Sequence, residues 1–275
     1  MINVRIEIEI ETVDWDSGTF EREQIPLKTY SFDVVNFTTQ NIDDIFITIM
    51  KIKGDGVNLS YNVTADEVYA SYSLIFNSKN VSESDLSLVN GILKNIEEYF
   101  LHLPEYPAVN SNYAFDEEVP EEGILIMTPD DGVTIYDYRE FSAILEEVKV
   151  RNHVISINGS HFECGAGNGA EAVMLFVWGA ISSGVTWDVL KALLIAKMPD
   201  LDISNFKVID NFKFKYLRTT VANRVCVNPK DLILVGFDKE PKDNDDIMAV
   251  VFKHKKKLIN IECNKDYNII RLEMR

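Results

Sequence analysis

Sulfur is scarce in this sequence, with three cysteines, Cys164, Cys226 and Cys263, among 275 residues. They lie far apart and are odd in number, so at most one bridge can form and no disulfide framework is implied. Basic side chains are also few: 27 Lys and Arg stand against 44 Asp and Glu, a formal charge of -17. An acidic surface repels nucleic acid and anionic lipid, which disfavours broad electrostatic binding to either. Long apolar runs are missing too. The uncharged stretch from Ala172 to Trp187 has 16 residues, whereas a bilayer-spanning helix needs about 17 to 20. The amino terminus, Met1 to Glu7, alternates charged and apolar residues and so lacks the basic and continuous apolar regions of a signal peptide. Cytoplasmic residence is the expectation, and the Asn-x-Ser/Thr triplets then carry no glycan meaning. No repeat period and no low-complexity tract is present.

What the chain does contain is enough apolar material for a core. Hydrophobic residues make up 46% and charged ones 26%, which argues against wholesale disorder despite the acidity. The counts of 29 Ile and 22 Asn are those of an AT-rich coding sequence and point to a bacterial or phage source. Charge is unevenly divided. Residues 1 to 200 hold 33 acidic and 12 basic side chains, a net of -21, whereas residues 201 to 275 hold 11 and 15, a net of +4. The basic part includes the run Lys253 to Lys257 and the alternation Lys207, Lys213, Lys215 with Phe212, Phe214 and Tyr216. A solvated hairpin turn at 253 to 257 is expected, with the tail's positive charge serving to dock it on the acidic body. Aromatic interleaving without a nucleic-acid motif is weak support for contact with nucleic acid.

Ile2 to Ile10 alternates strictly and predicts a strand with one buried face. A turn at Asp16-Ser17-Gly18 and a return segment, Phe20 to Phe37, interrupted at Pro26, begin a β-meander. Ile45, Ile47 and Ile49 with Phe46 and Met50 read as a strand covered on both faces. Val57 to Val63 and Val68 to Phe76 continue in strands. The period changes at about 82 to 103, where Leu86, Val89, Leu93, Ile96, Phe100 and Leu103 predict an amphipathic helix capped by Ser82 or Ser84 and stopped by Pro104. Residues 106 to 122, rich in Pro and acidic residues, form the boundary between an acidic unit at 1 to 105 and an α/β unit at 123 to 275. In that second unit strands are expected at 124 to 127, 133 to 136 and 153 to 158, a helix at 139 to 150, and a long buried helix at about 170 to 197. Strands at 206 to 216, 232 to 237, 247 to 252, 258 to 263 and 269 to 274 follow, the last three as an antiparallel meander. The fold class is therefore α+β with mostly antiparallel sheets.

One passage invites a chemical hypothesis. Ser156 to Ala170 joins a predicted strand to the predicted long helix, and its Gly165, Gly167 and Gly169 would bring bare amides to a helix start, a place for an anion. Gly165, Gly167 and Ala170 match the loose G-x-G-x-x-A dinucleotide pattern, but the acidic partner, Asp188, falls inside the predicted helix. Cys164, with His161 or His153 as base, has the outline of an activated thiol. As a metal set, His153, His161 and Cys164 lack a fourth ligand. Gly179, Ser183 and Gly184 form a small-residue pattern beside Trp178 and let a neighbouring backbone approach closely. The acidic pairs Asp43-Asp44, Asp130-Asp131 and Asp245-Asp246 read as solvated loop charge.

No motif among these specifies an enzyme, a metal or a cofactor. The leading expectation is a non-enzymatic, cytoplasmic interaction or regulatory protein, oligomeric, whose partner is another protein or a second copy. The first alternative is a ligand- or nucleotide-binding or enzymatic module centred on Gly165 to Ala170. The second is a regulated membrane-acting effector working through the 170 to 197 helix.

Overall fold

The computed structural model describes residues 1–14, 21–64, 66–77, 80–106, 121–128, 138–147, 150–163, 170–178, 186–199, 203–242 and 245–275. The fold is α+β, built among the described residues from sheets and five helices. Two compact units are present: Met1–Ser111 with Asp131–Ile135 and Asn158–Ala170, and Asn112–Asp130 with Tyr136–Ile157 and Glu171–Arg275.

The first unit opens with β1 (Ile2–Asp14) and β2 (Glu21–Val34), paired antiparallel. Pro26 lies inside β2, where it cannot donate to a ladder. It is accommodated because β2 is an edge strand and the register shifts between Ile8 and Glu9, opposite it. Next comes α1 (Thr39–Lys53), where a strand is expected from the alternation of Ile45, Ile47 and Ile49. The helix prevails because Ile42, Ile45 and Ile49 form one buried stripe at helical spacing, while Ile47 is exposed. Its start is fixed by Asn41, whose Oδ1 accepts from the Thr38 amide at 2.9 Å.

β3 (Val57–Thr64) and β4 (Glu67–Phe76) follow as expected, pair antiparallel, and bring β4 alongside β1 in parallel. Then α2 (Glu83–Leu101) closes the unit, capped by Ser82 and Asp85 in a capping box. Its buried stripe is Val89, Ile92 and Ile96, with Leu86 exposed, so the helix is rotated from the Leu86–Leu93 face that the spacing suggests. The strand order in this unit is β2-β1-β4-β3.

In the second unit β5 (Gly123–Met127) and α3 (Tyr138–Glu147) lie where the pattern places them. β6 (Arg151–Glu163) is longer than the strand expected at 153 to 158 and takes in Gly159 to Glu163, read above as loop. Its residues from Asn158 belong to the first unit, beside β3. The long helix is corrected. Ala170–Trp178 is the strand β7, and helix occurs only later as α4 (Trp187–Lys197). Val173 to Val177 are buried without exception. A strand enclosed on both faces gives the same continuous apolar run as an enclosed helix, and periodicity cannot separate them.

The predicted strand at 206 to 216 is also two elements, β8 (Lys207–Phe212) and α5 (Phe214–Val225). The alternation Phe212, Phe214, Tyr216 runs across the junction, but Phe214, Leu217 and Val221 are the buried helical stripe. Tyr267 fixes the break: its hydroxyl accepts from the Lys213 amide at 3.0 Å and donates to the Asn211 carbonyl at 3.1 Å. Asn211 itself adopts φ 53°, one residue before the end of β8. Finally β9 (Ile233–Lys242), β10 (Asp245–His254), β11 (Lys257–Cys263) and β12 (Ile269–Met274) form an antiparallel meander in the order β12-β11-β10-β9, which contains the three strands expected and adds β9 to them. Helix α5 packs its buried face between this sheet and the β6-β7-β5-β8 strands, in one apolar cluster that includes Phe176, Phe212, Leu217, Phe252 and Ile261.

A mid-strand glycine shows how tightly the first unit is packed. A Cβ on Gly159 would lie 2.1 to 2.4 Å from the Tyr61 ring, so the ring rests directly on the β6 backbone. Gly159→Ala should lower stability by about 1–3 kcal/mol through overpacking. Chemical denaturation measures this, and an unchanged midpoint and slope would show that the ring moves aside freely.

Candidate functional site

The residues singled out by the sequence are scattered. His161 lies on β6 between the rings of Phe46 and Tyr61, at centroid distances of 5.7 and 6.2 Å, stacked on the tyrosine. It is a packing histidine against α1. His153 occupies the same strand eight residues earlier, roughly 26 Å away for an extended chain. The two imidazoles therefore cannot share a thiol or a metal ion, which removes the trio with Cys164. Cys164, Gly165, Gly167 and Gly169, like Gly179, Ser183 and Gly184, fall outside the described residues.

The premise of an anion site at 165 to 170 was a helix start, and Ala170 instead opens strand β7. Trp178 ends β7, stacked on Phe176 at 5.8 Å and packed against the apolar cluster. Among the described residues no group of three His, Cys, Asp or Glu could hold a metal, and no helix is long and apolar enough to cross a membrane. Phe212 and Phe214 are core residues, so the aromatic alternation in the basic tail is not a base-stacking surface. The run Lys253 to Lys257 does form the hairpin turn between β10 and β11, with His254 opposite Lys257.

The acidic pairs also divide. Asp43 and Asp44 are helical, not loop, residues. Asp44 accepts from the hydroxyls of Tyr99 at 3.2 Å and Tyr106 at 2.5 Å, while Asn41 donates to Tyr99 at 3.0 Å and to the Pro104 carbonyl at 3.2 Å. Burial, with Asp44 adding to it, raises the pKa of Tyr99. This knot ties the start of α1 to the end of α2 and is structural. Asp245 and Asp246 begin β10, and Asp130-Asp131 lies outside the described residues.

The larger arrangement comes from strand parity. In β1 the even residues Val4, Ile6, Ile8 and Ile10 are buried beneath the helices. The odd residues Asn3, Arg5, Glu7, Glu9 and Glu11 then face the other way. Register places Tyr69, Ser71 and Ser73 of β4 beside Arg5, Glu7 and Glu9, and Asn62, Ser60 and Asn58 of β3 beside those. The result is one polar sheet face on which, among the described residues, no helix of this unit lies. Its carboxylates are individually held. Glu7 accepts from the Tyr69 hydroxyl at 2.8 Å and from Arg5 Nε at 2.9 Å. Its pKa lies below the ordinary value, chiefly because of the Tyr69 hydrogen bond, with Arg5 adding to it. Glu9 accepts from Ser73. Glu11, although buried, has both oxygens on Arg22, at 2.6 and 2.8 Å. Asn3 donates to Asp33 at 3.1 Å, and Asn62 to Asn158.

Compared with known proteins, the chain matches no family model, no curated protein and no solved structure. Function must therefore be argued from this face itself. The sequence carried its signal in Arg5, Glu7, Glu9 and Glu11, which the strand reading treated only as the solvent side of an alternation.

His153 makes a separate, measurable contribution. It is buried, and burial lowers its pKa from 6.5 to about 4. Below pH 6.5 the unfolded chain takes up a proton that the folded chain refuses until about pH 4. Stability from this group is thus complete at neutral pH and falls by up to about 3 kcal/mol across that window. Replacing His153 by Gln should flatten that part of the stability profile. Urea denaturation of both proteins from pH 7 to 4 checks it, and parallel profiles would exclude the histidine as the cause.

Proposed function

We propose that this is a non-enzymatic, cytoplasmic protein of bacterial or phage origin that regulates or scaffolds by binding another protein, and that it also self-associates. The polar face of the first unit is the binding surface in this reading, and the partner presents basic side chains. The observation that carries it is the sheet face with helices on one side only and an array of held carboxylates on the other. Five carboxylates, Glu7, Glu9, Glu11, Asp33 and Glu67, stand in register there with two guanidiniums, Arg5 and Arg22. Tyrosine and arginine, prominent in protein interfaces, accompany them as Tyr69 and Arg5.

The test is site-specific photo-crosslinking in cells or extract of the natural host. A photoreactive residue at Ser60, on this face and exposed, should give a discrete protein adduct that fades as salt is raised, whereas one at Glu98 on α2 should not. The reversals Glu7→Lys and Glu67→Lys should reduce that adduct at least about tenfold. Equal labelling from both positions, or an adduct indifferent to the reversals, would overturn the assignment of this face.

A further inference from the structure

The meander of the second unit has two edges, β9 and β12. Bare edges invite pairing with another chain, and proline and lysine are common means of preventing it. β9 has Lys239, Pro241 and Lys242, and the outer strand of the first unit, β2, has Pro26 and Lys28. β12, with the sequence Ile-Ile-Arg-Leu-Glu-Met, has neither proline nor lysine.

Backbone direction shows what this edge offers. Leu258 and Arg275 exchange both amide hydrogen bonds, at 3.0 and 2.9 Å. In the same register Glu273 lies opposite Asn260 and Arg271 opposite Glu262. Odd-numbered residues of β12 therefore turn their amides and carbonyls toward β11, and Leu272 and Met274 turn theirs to the open edge. Ile270 sits at the bulge where the register shifts between Glu262 and Cys263. Leu272 packs against the cluster beneath, while Met274, two residues along on the same side, is 48% exposed and Ile270, at the bulge, is 59% exposed.

We propose that β12 pairs antiparallel with β12 of a second copy about a two-fold axis at Leu272, joining two four-stranded sheets into one. Charge selects the partner and the register. With the axis at Leu272, Arg271 of each copy faces Glu273 of the other. A shift of two residues one way sets Glu273 against Glu273 and Arg271 against Arg275, and the other way sets Arg271 against Arg271. A shift of one residue opposes outward with inward backbone groups. The favoured register puts the ion pairs at the non-hydrogen-bonded positions, where side chains approach most closely. On the other face Ile270 meets Met274 of the second copy, so each covers an apolar side chain that is open in the single chain. The contact is isologous and closes at two copies. It rests on the self-association proposed above and does not involve the acidic face of the first unit, so the binding of another protein at that face can fail while this contact stands, and the reverse.

Sedimentation equilibrium on the full chain tests it. The wild type should sediment at twice the 31.4 kDa chain mass. Arg271→Glu and Glu273→Arg each oppose like charges twice across the axis and should weaken self-association at least about tenfold. An equimolar mixture of these two variants sets an edge with two carboxylates against one with two guanidiniums, so association should return. Leu272→Pro removes an edge amide and should give monomers with unchanged circular dichroism. A monomeric wild type, or dimerisation undiminished in Leu272→Pro and both charge variants, would overturn the proposal. So would a mixture of folded variants that associates no more tightly than each alone.

Discussion

The period of two along β1 constrains the first unit more than any single bond. Val4, Ile6, Ile8 and Ile10 are all buried, each contributing about 1.5–3 kcal/mol on transfer from water. That stripe needs a cover, and α1 and α2 each have one narrow apolar stripe to give: Ile42, Ile45 and Ile49 in one, Val89, Ile92 and Ile96 in the other. Helices with one such stripe can shield only one side of a sheet. They must lie on the even face of β1, and the odd face is left to polar side chains. A one-residue slip of β1 would bury Arg5, Glu7 and Glu9 and expose the isoleucines, so the register is strongly specified.

Polar bonds then lock what apolar burial selects. Asn41 serves the Thr38 amide, Tyr99 and Pro104 at once, and Tyr72 donates to the Ile42 carbonyl at 2.8 Å. A satisfied buried amide of this kind gives little net energy per bond but is costly to break. It accounts for the position of α1 better than intrinsic helix preference does, since Ile42, Ile45, Ile47, Ile49 and Thr48 are β-branched residues that favour strands. Tyr267 has the same part in the second unit, where burial pushes its hydroxyl up to about 12 and both of its hydrogen bonds hold the β8–α5 break.

Legibility followed the same physics. Segments exposed on one side could be read: Ile2 to Ile10, Val57 to Val63, the helix at 83 to 101 and the terminal meander all show a clean period. Segments enclosed on both sides could not. Val173 to Val177 present the same unbroken apolar run as a strand or as a helix, and the anion-site argument built on Ala170 fell with that choice. At Ile45 to Ile49 a genuine alternation of branched residues concealed the 3.6-residue stripe, because Ile47 is an apolar residue on the solvent side. At Phe212 to Tyr216 the alternation was real on each side of a break that only a residue more than 50 positions away, Tyr267, reveals. The polar face was visible as charge but not as a surface, since register between β1, β4 and β3 is a tertiary property.

That distinction matters for how an acidic face can bind. Loose carboxylates on a coil would have to lose side-chain freedom on meeting a partner, at about 0.5–1.5 kcal/mol for each long side chain immobilised. Here Glu7 is already held by Tyr69 and Arg5, Glu9 by Ser73, and Glu11 by Arg22. The same donors offset part of the repulsion that three carboxylates spaced two apart on one strand exert on each other. What remains is a negative field fixed in direction on a rigid sheet, which acts on the rate and selectivity of encounter more than on contact energy. The charge of -17, read as composition, excluded classes of partner. Only a small part of it stands on the odd face of β1, as Glu7, Glu9, Glu11, Asp33 and Glu67 beside Arg5 and Arg22, and that part has the fixed geometry on which the proposed recognition of a basic partner rests.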